Sequence, residues 1–298
     1  MSKTALVTGG SGFLGRHMVE ALSETYSVAH FDIKNGVDAR DFFRESDQKF
    51  DLVVHLAAIV GGREVIDREP LKVAVDLSID AEMFQWALRT RPEHVVYYSS
   101  SAAYPIALQD GKPKLQLWED AIDLDHICSP DMSYGFAKLA GEYQARFLEA
   151  EGVRTHVFRP FSGYGEDQDL CYPFPSFIER AANLEDPFTV WGDGTQCRDF
   201  IHIDDIVAAT IQAVEENVPG PVNLGTGMET SFLDLVSLVS SEIRRGRSSR
   251  RYIPEVQLLT DKPVGVHYRV ADATKMLSFF KPKVTIEEGI SRAIRRYR

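Results

Sequence analysis

Two side chains four residues apart, Tyr134 and Lys138, are well suited to moving a proton. On a helix that spacing sets them on one face. An ammonium beside a phenol lowers its pKa from about 10 and makes phenolate available as a base. Ser100 follows the apolar run His94-Val95-Val96-Tyr97-Tyr98-Ser99, which reads as a buried strand. Sites in open α/β sheets collect at such strand ends, where a serine could hold the same substrate hydroxyl. Taken singly, the pair also fits an exposed helix face, and Ser99-Ser100-Ser101 fits an ordinary turn.

A second constellation lies at the start of the chain. The β-type run Thr4-Ala5-Leu6-Val7-Thr8 leads into Gly9-Gly10-Ser11-Gly12-Phe13-Leu14-Gly15, with glycines at i, i+3 and i+6, and then into a helical pattern. A tight strand-to-helix turn needs left-handed backbone or no Cβ, and helix N-terminal amides must come close to a pyrophosphate. The spacing differs from GxGxxG, and a glycine-rich connector is the plain alternative. Asp32 ends the next strand about 20 residues on, where a carboxylate would accept from an adenosine ribose and repel a 2′-phosphate. NAD is therefore favoured over NADP, with Lys34 nearby tempering the preference. A strand-end aspartate opening a turn is the alternative reading of Asp32.

The elements that must carry these residues follow from periodicity. Strands are expected at residues 4–8, 27–32, 51–58, 94–99 and 155–159, alternating with helices over 13–23, 77–90 and 133–150. That alternation implies right-handed crossovers and a doubly wound parallel sheet of Rossmann type, α/β in class. After Pro160, prolines and glycines punctuate shorter elements, with a strand near 221–224 and helices near 205–216 and 231–243. The organisation expected is a dinucleotide-binding domain over residues 1–160 and a smaller α/β substrate lobe over 161–298, some of whose segments return to the sheet.

Composition excludes several functions. The 298 residues carry 33 Lys+Arg against 44 Asp+Glu, a net charge of −11. No basic stripe displaces counterions from phosphates, so no nucleic-acid partner is expected. Cys128, Cys171 and Cys197 form no CxxC, which argues against a metal site or a disulfide framework and for reduced thiols in a cytoplasmic protein. Neither a signal peptide nor a stretch of about 20 apolar residues is read, so no membrane association is expected. His55 and His202 read as satisfied core histidines, and Asp204-Asp205 as the cap of a following helix. Phe84 and Trp86 read as core or a dimer face, and the basic run at 244–251 as a solvated loop.

Taken together, the motifs resemble the extended short-chain dehydrogenase/reductase family of NAD-dependent nucleotide-sugar epimerases and dehydratases. Residues 8–15 resemble its TGxxGxxG, Asp38-Ala39-Arg40-Asp41 its DxRD, and His55-Leu56-Ala57-Ala58 its HLAA. Ser99-Ser100-Ser101-Ala102-Ala103-Tyr104 resembles SSxxxY, and Tyr134 with Lys138 fits YxxxK. Gly192-Asp193-Gly194-Thr195-Gln196-Cys197-Arg198-Asp199 resembles GDGxQxRD, and Asn223-Leu224-Gly225-Thr226-Gly227 resembles NxGxG. The resemblance implies Ser100, Tyr134 and Lys138 as catalytic residues. It implies Gly9, Gly12, Phe13, Leu14, Gly15, Asp32, Asp38, Ala39, Leu56, Ala57, Ala58, Ser99 and Phe161 around NAD, together with Tyr134 and Lys138. Gly61, Gly62, Ser101, Ser162, Arg198 and Arg269 are implied for the substrate, with Arg198 on its diphosphate. A homodimer through the middle and YxxxK helices is also implied.

Departures from the family pattern narrow the reaction. Its 4,6-dehydratases and decarboxylases carry a Glu, and its 3,5-epimerases a Cys, where this chain has Ala102, which exchanges no proton. Ala57-Ala58-Ile59-Val60-Gly61-Gly62, Tyr104-Pro105 and Lys262-Pro263-Val264-Gly265 with Arg269 and Asp272 resemble the GDP-sugar branch. Ser162 and Asp76 each stand where an asparagine is common, and Cys171 or Tyr172 falls near an acid/base His of the fucose-synthase branch. A 4-epimerase needs only the groups that remain. The alternatives are a reductase or epimerase-reductase of a 4-keto GDP-sugar, and a non-catalytic NAD-binding regulator.

Overall fold

The computed structural model describes residues 3–60, 68–246 and 252–297. Through residue 160 strands and helices alternate: β1 (Thr4–Thr8), α1 (Phe13–Leu22), β2 (Ser27–Phe31), α2 (Ala39–Glu45), β3 (Leu52–His55), α3 (Pro70–Val73), α4 (Asp76–Thr90), β4 (His94–Tyr98), α5 (Met132–Ala150) and β5 (Arg154–Pro160). Shorter elements follow: β6 (Ser162–Tyr164), α6 (Pro173–Ala182), β7 (Phe188–Trp191), β8 (Cys197–Arg198), β9 (Phe200–His202), α7 (Ile203–Glu215) and β10 (Val222–Leu224). The chain continues through β11 (Thr230–Ser231), α8 (Phe232–Gly246), β12 (Val256–Leu259), β13 (Tyr268–Arg269), α9 (Thr274–Leu277) and α10 (Ile286–Arg295).

Among the described residues the main sheet has six strands in the order β10-β5-β4-β3-β1-β2, every pair parallel. Strands buried on both faces need continuous apolar runs, and Ala5, Leu6 and Val7 are at most 1% exposed. Met18 and Leu22 of α1 join Ile206 and Val207 of α7 on one face. Phe43, Met83, Trp86 and Ala145, from α2, α4 and α5, cover the other. From β1 the chain runs outward to β2 and then back to β3 on the other side, so a crevice opens at the C-terminal ends of β1 and β3. A second core gathers Phe174, Phe177, Phe188, Leu235, Val239 and Ile290 from α6, β7, α8 and α10.

Phe84 and Trp86 lie in the core. Two expectations need correction. The helix after β9 is capped by His202, whose ring accepts from the Asp204 amide at 3.2 Å. Asp205 instead accepts from the amides of Lys283 and Val284. Arg244 and Arg245 ride on the last turn of α8 rather than in a loop, where positive charge favours the helix C-terminus; the run's remainder at 247–251 lies outside the described residues. No described helix is long and apolar enough to cross a membrane.

Candidate active site

The turn after β1 is shaped by close backbone approach. Gly9 has φ +69°, and a Cβ there would lie 2.8 Å from the Ala57 amide nitrogen. A Cβ on Gly15 would lie 2.1 Å from the Gly9 carbonyl oxygen, so α1 starts directly against the turn. Gly12 occupies the helix N-cap and supplies no side-chain cap. The first-turn amides, flanked by Phe13 and Leu14, therefore face the crevice without a protein side chain on them, as an anion site at a helix N-terminus requires. A dinucleotide pyrophosphate fits this cradle. Asp32 closes one side: its Oδ2 accepts from the Ser11 amide at 3.1 Å and its Oδ1 from the Lys34 amide at 2.9 Å. Asp38 caps α2, and its hydrogen bond with Arg40 at 2.6 Å holds the carboxyl below its usual range; Ala39 beside it is buried.

A polar chain runs from this turn beneath the sheet toward the phenol. Thr8 Oγ1 accepts from the amides of Leu56 and Ala57, each at 3.1 Å, so its own proton goes to His55 Nδ1 at 2.9 Å. That assignment leaves His55 Nε2–H to donate to Asp80 Oδ1 at 3.1 Å, while Tyr97 donates to Asp80 Oδ2 at 2.6 Å. Burial acts to raise the Asp80 carboxyl, but Lys138, His55 and Tyr97 hold it below its usual range. In turn, burial acts to lower the Lys138 ammonium, and Asp80, Tyr134 and Asp76 keep it above its usual value. Lys138 Nζ stands 6.0 Å from the Tyr134 ring centroid and 5.2 Å from that of Tyr97.

Ser100, Tyr134 and Lys138 do meet. The spacing alone suggested a phenol with a lowered pKa, and here the structure differs. Burial pushes the Tyr134 phenol up, outweighing both Lys138 and a hydrogen bond from Ser100. The lysine therefore offsets a desolvation cost rather than producing phenolate outright.

Further residues, inconspicuous in the sequence, set this geometry. A Cβ on Gly135 would lie 2.2 Å from the Ala102 carbonyl oxygen, and one on Gly141 would lie 1.9 Å from the Tyr97 hydroxyl oxygen. Both let α5 press against the strand end that carries Ser100. Glu142, one turn beyond Lys138, forms a bidentate pair with Arg159 at 2.7 and 2.9 Å. It also accepts from the Ser99 hydroxyl. That hydroxyl is thus engaged within the protein. Arg159 Nη1 donates to the Tyr104 hydroxyl, which donates to Asn223 Oδ1 at 2.7 Å. Phe161 packs against the Tyr104 ring, and Ser101 is buried. Gly135 and Gly141 were signals available in the sequence, because glycine inside a helix has a cost that close packing can repay.

Beyond residue 160, Arg198 donates to the carbonyls of Cys197 at 2.7 Å and Val264 at 3.2 Å, and its guanidinium lies over the Phe232 ring. Arg269 pairs with Asp131 Oδ2 at 2.8 Å and donates to Gln109 Oε1 at 2.6 Å. These bonds tie β13 to the residue that begins α5, so Arg269 already has a structural engagement. Ser162 pairs with the strand that follows Asp199. Asp199 accepts from the amides of Thr226, Gly227 and Ala271 and binds the NxGxG-like loop internally. Tyr172 feels the charge of Tyr134, and burial pushes its phenol up, whereas Cys171 is exposed. Ala58 is half-buried beside the turn; Gly61 and Gly62 lie outside the described residues. No cluster able to hold a metal occurs among the described residues.

Fold and site together define a Rossmann-type enzyme that works with a dinucleotide. The chain belongs to the NAD dependent epimerase/dehydratase family, whose sequence model matches residues 5–225. It is 28% identical to a UDP-N-acetyl-alpha-D-glucosaminuronate decarboxylase of Bacillus cytotoxicus, over 100% of this chain and 98% of the relative. It is 24% identical to a GDP-L-fucose synthase of Azorhizobium caulinodans, over 97% and 94%. Among solved structures, a UDP-N-acetylglucosamine 4-epimerase of Methanobrevibacter ruminantium superposes with a TM-score of 0.79 at 25% identity, covering 99% of this chain and 97% of that one.

Proposed function

We propose that this protein is an NAD-dependent epimerase of a nucleotide-diphosphate sugar, acting at C4 through a 4-keto sugar. One observation carries the reading. The site assembles Ser100, Tyr134 and Lys138, yet two residues past the serine stands Ala102, whose carbonyl accepts from Asp131 and packs on Gly135. Proton transfer at one sugar hydroxyl is supplied, and a second acid/base for elimination at that place is not. When bound, NAD would supply a hydride acceptor and donor for C4.

Ser100 holds the 4-hydroxyl, and Tyr134 takes its proton as C4 is oxidised. Lys138, held charged by Asp80, stabilises the phenolate that takes this proton. The 4-keto sugar then turns its other face, and Tyr134 returns the proton to the oxygen as C4 is reduced again. Arg198 would exchange its carbonyl partners for the diphosphate, a charge-assisted and therefore stronger bond. Gly9, Gly12, Gly15 and Asp32 would hold the pyrophosphate and adenosine ribose.

A homodimer is part of this reading. Met132, Phe136, Tyr143 and Phe147 make an exposed apolar line along α5, 37–51% accessible, and a second copy of the same face would bury it. A cytoplasmic setting agrees with three cysteines that form no disulfide.

The test is isotopic. A nucleotide sugar deuterated at C4 should yield the epimer with deuterium retained at C4 and no accumulation of reduced cofactor. Product formed only in proportion to added NADH or NADPH would instead favour the reductase reading.

A further inference from the structure

Asp76, the first residue of α4, has no exposure at all. Its Oδ1 accepts from the Ile59 amide at 2.6 Å, which ties down the segment leaving β3. Its Oδ2 is buried and, among the described residues, has no hydrogen-bond partner. An unpaired buried carboxylate oxygen carries the full desolvation penalty. An asparagine could accept the same amide bond without a charge, so anchoring Ile59 does not explain the carboxylate.

The surroundings do. Across the packed pair of α4 and α5, the charges of Lys138 and Tyr134 act on Asp76 and its charge acts on them. From its own helix one turn on comes Asp80, which binds His55 of β3 and Tyr97 of β4. Asp76 and Asp80, at i and i+4, thus set two carboxyls against one ammonium. Asp80 has its hydrogen bonds filled and Asp76 has one oxygen open. The geometry points to Asp76 as a positioning residue that acts through Lys138 and Tyr134, setting by its own charge how tightly the phenol holds the proton. The inference rests on the proposed role of Tyr134 but concerns only groups of this chain.

The signs follow from the neighbours. Burial pushes Asp76 up to about 6, against the pull of Lys138. Above that pH the ionised carboxyl adds negative charge near the phenol and raises its pKa. Below it, the neutral carboxyl lets the phenol release its proton more readily. Because the folded-state value lies above the ordinary carboxyl range, the stability linked to this proton is present at low pH and lost as pH rises through about 6. A carboxylate retained against stability is expected where function needs it.

The test uses the full-length protein with tyrosine carbons labelled at Cζ, the Tyr134 resonance being assigned by its absence in Tyr134→Phe. In the unaltered protein the Tyr134 resonance should show a small inflection near pH 6, reporting Asp76. In Asp76→Asn that inflection should vanish and the phenol should titrate lower by roughly 0.5–1.5 units, the range set by a charge several ångströms away in a partly screened interior. The pH–rate profile should lose the same inflection, and the melting temperature of Asp76→Asn should exceed that of the parent at pH 8 but converge with it toward pH 4. A Tyr134 resonance flat through pH 6 in the unaltered protein, or a phenol titration unmoved in folded Asp76→Asn, would overturn the proposal. The NMR arm needs no substrate, so a protein inactive on every nucleotide sugar would refute the epimerase reading while leaving this result interpretable.

Discussion

Tyr134→Phe should lower kcat by about 10²–10⁴-fold, the contribution expected of a positioned general base, with little change in KM. The substitution keeps the ring and its packing and removes only the hydroxyl that meets Ser100. A loss confined to kcat would mean that the hydroxyl acts in the transition state rather than in binding. Lys138 would still be held charged by Asp80, so residual activity should show no new dependence on the lysine. If kcat falls by less than tenfold, the proton goes elsewhere, and Tyr172, which feels the charge of Tyr134, becomes the next group to remove.

Gly15→Ala should be the most damaging single methyl in the dinucleotide turn. Its Cβ would sit 2.1 Å from the Gly9 carbonyl oxygen and 2.9 Å from Gly10 Cα. Both are backbone atoms, so no rotamer change relieves the clash. Relief must come from moving α1 away from the turn, which costs about 1–3 kcal/mol or more and displaces the amides proposed to hold the pyrophosphate. NAD affinity measured by calorimetry should fall at least about 100-fold, a loss of about 2.7 kcal/mol. Gly12→Ala, whose added carbon meets only the Gly9 carbonyl oxygen at 3.1 Å, should lose much less. Equal NAD affinity in Gly15→Ala and the parent would show that the cofactor does not use this turn.

The main architecture was legible because its signals are local. Apolar runs such as Asp51-Leu52-Val53-Val54 and helical periodicity over 133–150 name their elements directly, and their alternation implies the parallel sheet. Ser100, Tyr134 and Lys138 were legible because strand-end and i, i+4 positions carry geometric meaning. The direction of the Tyr134 pKa was not. It depends on how much water the packing around Tyr134 excludes, a sum over distant residues that spacing does not contain. Asp80 and Glu142 were passed over for a related reason: each is an ordinary helix acid until packing buries it against Lys138 or Arg159. Arg269 is implied for the substrate by the family resemblance, whereas its pairing with Asp131 spans 138 positions and no local signal gives it. Helices α6 and α10 went unread although each carries an amphipathic pattern, with Phe177, Ile178 and Ala181 buried on one and Ile290, Ala293 and Ile294 on the other.

The central claim is hydride return within one active site. The most direct measurement incubates the purified protein with UDP-, GDP-, dTDP- and ADP-sugars, supplemented with catalytic NAD, and follows the sugar ring by proton NMR. The account predicts that one of these sugars equilibrates with its C4 epimer while total reduced cofactor stays flat. A protein that binds NAD yet leaves every sugar unchanged, and then consumes NADH or NADPH stoichiometrically with a 4-keto GDP-sugar, would contradict it.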